Sequence, residues 1–289
     1  MQNFFGVSCC PVLFQDLVIV MVGGSPPADQ RLPLGRLDMV SGNGSGIVAF
    51  AQSDGREVYR VSDELASYST PVIANVNANP IGFAFTRGGL LAFDPKAGKE
   101  YWLFPWRAPR LESVNAALPI VRGDEVLISE CYDIGSAMLK ITKSDYKVQW
   151  QDPPSRREQA MRAHWATPIE YKGYVYGCSG RNEPDSDLRC IRWSDGELMW
   201  TEDNRIRTSL LLIDDHFVVL NERGRMQLIQ ATSDAYRPVT EIDLSDSLGG
   251  FEAPFLDSPC WAAPIVANGL MYVRGANRVA CFRLIPKSR

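Results

Sequence analysis

Two adjacent thiols, Cys9 and Cys10, are the most chemically pointed pair in the sequence. Such a pair can close into a strained disulfide ring, or it can remain two thiols that pack like small hydrophobes. The other cysteines are Cys131, Cys178, Cys190, Cys260 and Cys281. They contain no C-x-x-C spacing, so a tetrahedral thiolate metal site is not indicated. Seven is an odd number, so at least one thiol stays unpaired within the chain. Cys178 and Cys190 flank the turn region "CSGRNEPDSDLRC", where a disulfide would suit an oxidising compartment.

Acid–base chemistry has few carriers. His164 and His216 are the two histidines, and His216 sits in the turn "IDDHFVV", where exposure is expected. A Ser-His-Asp triad would have to use His164, and no G-x-S-x-G elbow supports it, so a hydrolase is not expected. Glu112 and Asn115 in "ESVNAA", with Glu130 and Asp133 in "SECYDIG", are oxygen donors of the type a hard cation takes. No spacing singles them out as ligands, and acids at strand ends are ordinarily solvated. "RNEPDSD" reads as a loop of modest acidic character.

A formal charge of -4 argues against nucleic acid or an anionic membrane surface as main partner, since both need a basic face. No apolar run reaches the length of a membrane span, and "DLVIVMVGG" reads as a buried strand closed by glycines. The start "MQNFFGVSCC" lacks a basic n-region, so no signal peptide is expected from it. "GVSC" matches a lipoprotein cleavage site only loosely.

The elements that position these groups follow from a repeat. A small or polar cluster, then proline, then apolar residues recurs around Pro11, Pro71, Pro119, Pro168, Leu211 (in place of proline) and Pro264, at intervals of 60, 48, 49, 43 and 53 residues. Each anchor opens a short strand, a polar turn and a second strand. A second hairpin of the type "GLLAFDPKAGKEYW" follows, except that the last repeat stops before its fourth strand. Four short antiparallel strands at a period of 40 to 50 residues predict an all-β fold, a β-propeller of four-stranded antiparallel blades. About six blades are expected, near 8–61, 66–105, 113–152, 161–203, 206–244 and 259–289, in a single domain over 1–289. The tryptophans at 102, 150 and 200 recur at one point in their repeats, with Tyr59 there in the first. A flat ring at a fixed place in each blade is expected to fill the space between neighbouring sheets.

Ala92, Asp94, Gly98, Lys99 and Trp102 make the pattern A-x-D-x-x-x-G-K-x-x-W, which resembles the quinoprotein-like (PQQ-binding-like) propeller repeat family over nearly the whole chain. The resemblance implies that Trp102, Trp150 and Trp200 dock one blade on the next. It also implies a seven- or eight-bladed ring, so the chain is expected either to be a six-bladed ring closed by its N-terminal segment or, the favoured reading, to lack one or more N-terminal blades, with "QNFFGV" the tail of a linker. That family holds quinone-dependent alcohol dehydrogenases, relatives labelled polyvinyl-alcohol dehydrogenase, a non-enzymatic outer-membrane assembly lipoprotein and uncharacterised scaffolds. Its members are mostly periplasmic or exported. In the methanol dehydrogenases an adjacent-cysteine disulfide lies at the active site, which gives Cys9-Cys10 its interest. Here the pair abuts Pro11, several residues closer to the strand than in those enzymes.

The residues just before each anchor should gather near the mouth of the propeller channel: Cys9, Cys10, Tyr68, Asn115, His164, Trp165, Arg207 and Trp261. Aromatics mixed with hydrogen-bond donors suit a small-molecule pocket. A wet channel with no dedicated ligand would carry the same mixture. Arg156, Arg157 and Arg162 make a basic spot in "QDPPSRREQAMRAH", which with "WRAPRLES" should lie on one rim. The expected function is a non-catalytic scaffold, monomeric, binding a protein or small ligand at rim or channel mouth, with no metal and no cofactor. The alternative is a PQQ-dependent dehydrogenase using quinone and Ca²⁺.

Overall fold

The computed structural model describes residues 5–6, 8–246 and 254–284. It is all-β, with three short 3-10 turns in the connections. Among the described residues, twenty-three strands form six antiparallel sheets of consecutive strands, five with four strands and the last with three. These are the blades of a β-propeller. The expected linker "QNFFGV" falls mostly outside the described residues, as do the last five residues of the sixth repeat.

The chain divides into two compact units, Met1–Trp165 and Ala166–Arg289. The first holds blade 1 (β1 Val12–Phe14, β2 Leu17–Met21, β3 Ile47–Ala51, β4 Glu57–Val61) and blade 2 (β5 Val72–Val76, β6 Asn79–Phe85, β7 Gly89–Phe93, β8 Glu100–Pro105). It ends with blade 3 (β9 Ile120–Arg122, β10 Glu125–Glu130, β11 Gly135–Ile141, β12 Tyr146–Gln151). The second unit holds blade 4 (β13 Ile169–Tyr171, β14 Tyr174–Ser179, β15 Ser186–Arg192, β16 Leu198–Arg205) and blade 5 (β17 Thr208–Ile213, β18 His216–Asn221, β19 Arg225–Gln230, β20 Pro238–Asp243). Blade 6 follows (β21 Ile265–Ala267, β22 Leu270–Arg274, β23 Val279–Arg283).

Side-chain alternation explains how blades stack. Successive residues of a strand point to opposite faces, so a strand covered on both sides must be apolar throughout. All five residues of β7 are buried. Leu90 and Ala92 join the cluster with blade 3 residues such as Val126 and Leu139, while Leu91 and Phe93 join blade 1 residues such as Ile19 and Ile47. In the second unit β18 does the same: Phe217 and Val219 pack with blade 4, Val218 and Leu220 with blade 6.

The hairpin that ends on an aromatic has a fixed construction. Asp94 Oδ1 accepts the N–H groups of Lys96 (2.9 Å) and Ala97 (3.0 Å), and Oδ2 accepts the Tyr101 hydroxyl (2.8 Å). The Asp94 N–H reaches Lys99 O and the Gly98 N–H returns to Asp94 O. Residues 51–56 and 192–197 close the same turn with the same two backbone bonds. Gly98 has φ +66°, and a Cβ there would lie 2.3 Å from the Tyr59 ring of blade 1. Glycine is therefore required twice over, by backbone and by neighbour.

All five four-stranded blades carry a bulge in the third-to-fourth strand pairing just beside this turn. The residue beyond the extra one is Tyr59, Trp102, Trp150, Trp200 or Thr240, opposite Ala49, Ala92, Met138, Cys190 or Leu228 respectively. A bulge re-aims the following side chain. Trp102 is thereby turned toward blade 3, where its Nε1–H reaches Thr142 O (3.3 Å) and its ring meets Tyr146 at 5.0 Å. Trp200 does the same to blade 5, with Nε1–H to Thr232 O at 2.9 Å and its ring 6.0 Å from Tyr236. Tyr59 reaches Pro95 O of blade 2 (2.8 Å) through its hydroxyl.

Candidate functional site

The residues preceding each first strand do not stand alone. Each such segment leans on the turn after the second strand of the blade before it. Asn115 gives its side-chain N–H groups to Thr86 O (2.8 Å) and Trp106 O (3.0 Å) of blade 2. His164 Nε2 lies 3.2 Å from the Tyr132 hydroxyl in the blade 3 turn. Arg207 meets Asn182 of the blade 4 turn at 3.3 Å. Trp261 donates through Nε1 to Glu222 of the blade 5 turn at 2.7 Å. Between blades 1 and 2 the contact is backbone on backbone, since a Cβ at Gly23 would fall 1.8 Å from Ala66 N.

The expected site residues accordingly form two groups. In the first unit the Tyr68 and Ser69 N–H groups donate to Asn115 O, both at 3.1 Å. The Tyr68 hydroxyl accepts the Phe5 N–H (2.7 Å), and the Cys10 N–H reaches Thr70 Oγ1 (2.9 Å), so the N-terminal segment runs along 68–70. Tyr68 and Trp165 pack against the same cluster of Ala108, Val114, Ala116, Cys131 and Tyr132, and the His164 ring lies 4.3 Å from that of Trp165. In the second unit Glu222 is 6% exposed and gathers Arg207 (Nε–Oε2 2.6 Å, Nη2–Oε1 2.9 Å) and Trp261. The Arg207 guanidinium stands 5.9 Å from the Trp261 ring centre. Trp261 remains 51% exposed, an indole held in place yet open to solvent.

Glu222, Tyr132 and Thr86 lie away from the proline anchors and were not among the expected site residues. A signal existed for Glu222 alone: a charged residue stands second after the last buried apolar position of the second strand in blades 2, 3 and 5, as Arg87, Glu130 and Glu222.

The thiols do not form disulfides. All seven cysteines stand as thiols outside any disulfide, including Cys9 and Cys10. Cys9 Sγ points at Met21 O (3.3 Å), and burial raises its pKa. Cys178 pairs across β14–β15 with Leu188, while Cys190 pairs with Tyr176, so the two thiols are not opposite one another. Burial lifts the Cys178 thiol to about 11 and the Cys190 thiol to about 12, and neither is a nucleophile at neutral pH. His216 is half-buried at the start of β18, with Nδ1 2.9 Å from the Asp215 carboxylate. The basic spot is divided: Arg157 is exposed, Arg156 pairs with Asp133 (3.2 Å) and Arg162 is buried.

Nor do the oxygen donors suit a cation with a bound quinone. The Glu130 carboxylate accepts the N–H groups of Tyr132 (2.7 Å) and Ile134 (3.0 Å), fastening its own turn. Burial pushes it up to about 7. Asp133 is taken by Arg110 (2.6 Å) and Arg156. Among the described residues no three of His, Cys, Asp or Glu converge in a way that could hold a metal ion. Glu130 and Asp133, committed to their own turn and to arginines, do not fit Ca²⁺.

The family described as outer membrane protein assembly factor BamB matches residues 35–237, more than two thirds of the chain. The chain belongs to that family, the PQQ-like propellers. No curated protein matches the sequence. Among solved structures, BamB from Moraxella catarrhalis superposes with a TM-score of 0.61 at 14% identity, covering 94% of this chain and 67% of that one. Quinohemoprotein alcohol dehydrogenase ADHIIG from Pseudomonas putida HK5 gives 0.57 at 13%, covering 93% and 50%. A europium-containing methanol dehydrogenase gives 0.56 at 13%, covering 93% and 61%. At these identities the likeness is one of fold. The chain spans about half to two thirds of the length of these neighbours. Among the described residues no helix is long and apolar enough to cross a membrane.

Proposed function

We propose that the protein is a non-catalytic propeller scaffold that docks a protein partner, in the manner the family's description as an assembly factor implies. The observation that carries this reading is Trp261: a half-exposed indole pinned by buried Glu222 and flanked by Arg207. Tryptophan and arginine dominate the energetics of protein interfaces, and a side chain already fixed in place loses little entropy on binding. Other buried polar residues support the reading differently. Asn115, Glu130 and Glu222 spend their polar atoms on the blades' own backbone and side chains, and that is structural work.

Two measurements test it. A photo-crosslinking residue installed at position 261 should trap one defined protein in cells, and the yield should fall when Arg207 is changed to alanine. Purified protein titrated with PQQ and Ca²⁺ should show no spectral change and no dye reduction with primary or secondary alcohols. Turnover that disappears in Cys9→Ala would overturn the proposal in favour of a quinone-dependent dehydrogenase.

A further inference from the structure

Blade 6 has an open edge whose use does not depend on Trp261. Among the described residues β23 pairs with β22 alone, whereas β3, β7, β11, β15 and β19 each carry a fourth strand. The turns before β23 and β7 fix how the two strands correspond. The Thr86 N–H to Gly89 O closes one turn, and the Gly275 N–H to Arg278 O closes the other. Phe85 pairs with Leu90 beside the first turn, and Arg274 with Val279 beside the second. Val279, Ala280, Cys281 and Phe282 thus take the places of Leu90, Leu91, Ala92 and Phe93. All of β7 is buried, but Val279 is 62% exposed and Cys281 is exposed.

The space beside that edge is apolar. Ala280 and Phe282 pack toward blade 5 with Met271 and Val273. On the same side lies a cleft of about 570 Å³, walled by Met226, Leu228, Thr240 and Ile242 of blade 5, Met271 and Leu284. In blade 2 a fourth strand covers the matching side: Leu103, paired with Leu91, packs into the cluster with blade 1. A fourth-strand residue opposite Ala280 would therefore enter the cleft. The polar end is marked as well. Glu57 and Glu100 open the fourth strands of blades 1 and 2, opposite Phe50 and Phe93. The corresponding place, opposite Phe282, lies next to Arg283, which is exposed and meets no acid among the described residues.

We propose that an extended segment of another protein completes blade 6, adding antiparallel to β23 as its fourth strand. An unpaired strand edge offers its N–H and C=O groups to such a segment, and pockets for alternate side chains select it. The other five blades show what the place holds, a strand of five to eight residues. The cleft calls for a large apolar side chain opposite Ala280, and Arg283 calls for an acid at the segment's start. A docked helix would leave the hydrogen-bonding groups of the edge unmet. Residues 285–289 are only as many as the connection before a fourth strand takes in blades 1–5, four to seven, so the segment is assigned to a partner and not to this tail.

The test uses the whole chain and a fluorescein-labelled peptide with the β8 sequence Glu100–Pro105, which carries both the acid and the apolar residue. Fluorescence anisotropy should show saturable binding with a Kd below about 1 mM. Leu103→Glu in the peptide should weaken it about tenfold or more, since a charge would enter an apolar cleft. Arg283→Glu in the protein should weaken it several-fold, and Glu100→Lys in the peptide should recover the loss. A peptide with Trp102→Cys, activated as a thiopyridyl disulfide, should be captured by Cys281, because Ala92 pairs with Trp102. The same activated cysteine at Leu103 should not be captured. Absence of saturable binding overturns the proposal, and so does equal capture at the two peptide positions. Binding that appears only after residues 285–289 are removed would make the tail the occupant, and a dimer that the peptide displaces would make it a second copy; either overturns the proposal. Failure to cross-link at position 261 leaves all of these readouts unchanged.

Discussion

Blade 2 and blade 5 have the same four-strand order, the same bulge and the same register, yet their fourth strands have opposite fates. In β8, Trp102 and Phe104 are buried, and the indole wedges against Tyr146 of the next blade. In β20 every residue is exposed, and Thr240 stands where the wedge would be. Beside Thr240 lies a cleft of about 570 Å³ lined by Ile213, Met226 and Leu228 of blade 5, Met271 of blade 6 and Leu284. The fourth strand of blade 5 is held instead by polar contacts, Arg225 and Gln227 to Glu241 (2.6 and 2.9 Å) and Ser245 to Asp243. The lesson is that the repeat's backbone geometry does not depend on its aromatic. The ring decides how tightly a blade is fastened to its neighbour, not whether the blade forms.

That contrast can be broken most directly at the ring itself. Trp102→Ala should cost about 3–5 kcal/mol of stability in urea unfolding, as large-to-small core substitutions do, and Trp200→Ala should fall in the same range. Thr240→Ala should stay within about 0.5 kcal/mol. Equal losses at all three positions would end the distinction.

The next largest effect separates the two turn acids, Glu130 and Glu222. Glu222 bonds outward to Arg207 and Trp261, whereas Glu130 is fully buried on its own turn, held up to about 7 from an ordinary value of 4.5. A carboxyl raised in the folded state keeps its proton while the unfolded chain ionises. The stability it allows is therefore complete below about pH 4.5 and falls as the pH rises toward 7. The full loss is roughly 3 kcal/mol. Glu130→Gln should flatten the profile of unfolding free energy between pH 5 and 8; an unchanged slope would show that the group titrates normally.

A smaller effect runs the other way. Thr240→Trp should add about 0.5–2 kcal/mol by filling the cleft, the usual yield of cavity-filling changes, and calorimetric unfolding would register it. Last, a thiol reagent should modify exposed Cys10 and Cys281 quickly and buried Cys131, Cys178 and Cys190 only on unfolding. Fewer than seven reactive thiols in denaturant would mean that a disulfide had formed.

Local chemistry made most of the blade architecture legible. Pro71 and Pro119 mark the approach to a first strand, where a residue without an N–H donor is tolerated. Asp94 and Gly98 specify their turn through one carboxylate and one positive φ, both properties of short sequence. Trp102, Trp150 and Trp200 announced a common role by their shared offset. The candidate site was only half legible. Asn115, His164, Arg207 and Trp261 were findable from the anchors, but their partners Thr86, Tyr132, Asn182 and Glu222 belong to other turns, up to 39 residues away in the chain.

Sequence alone therefore determined the repeat, its strand order, its turns and the ring positions, because each depends on residues within one hairpin of each other. Tertiary structure decided everything that depends on which charges meet. It set Glu222 beneath an exposed tryptophan and left Cys9 and Cys10 as separate thiols. Electrostatic energy depends on separation and burial in space, and neither follows from spacing along the chain.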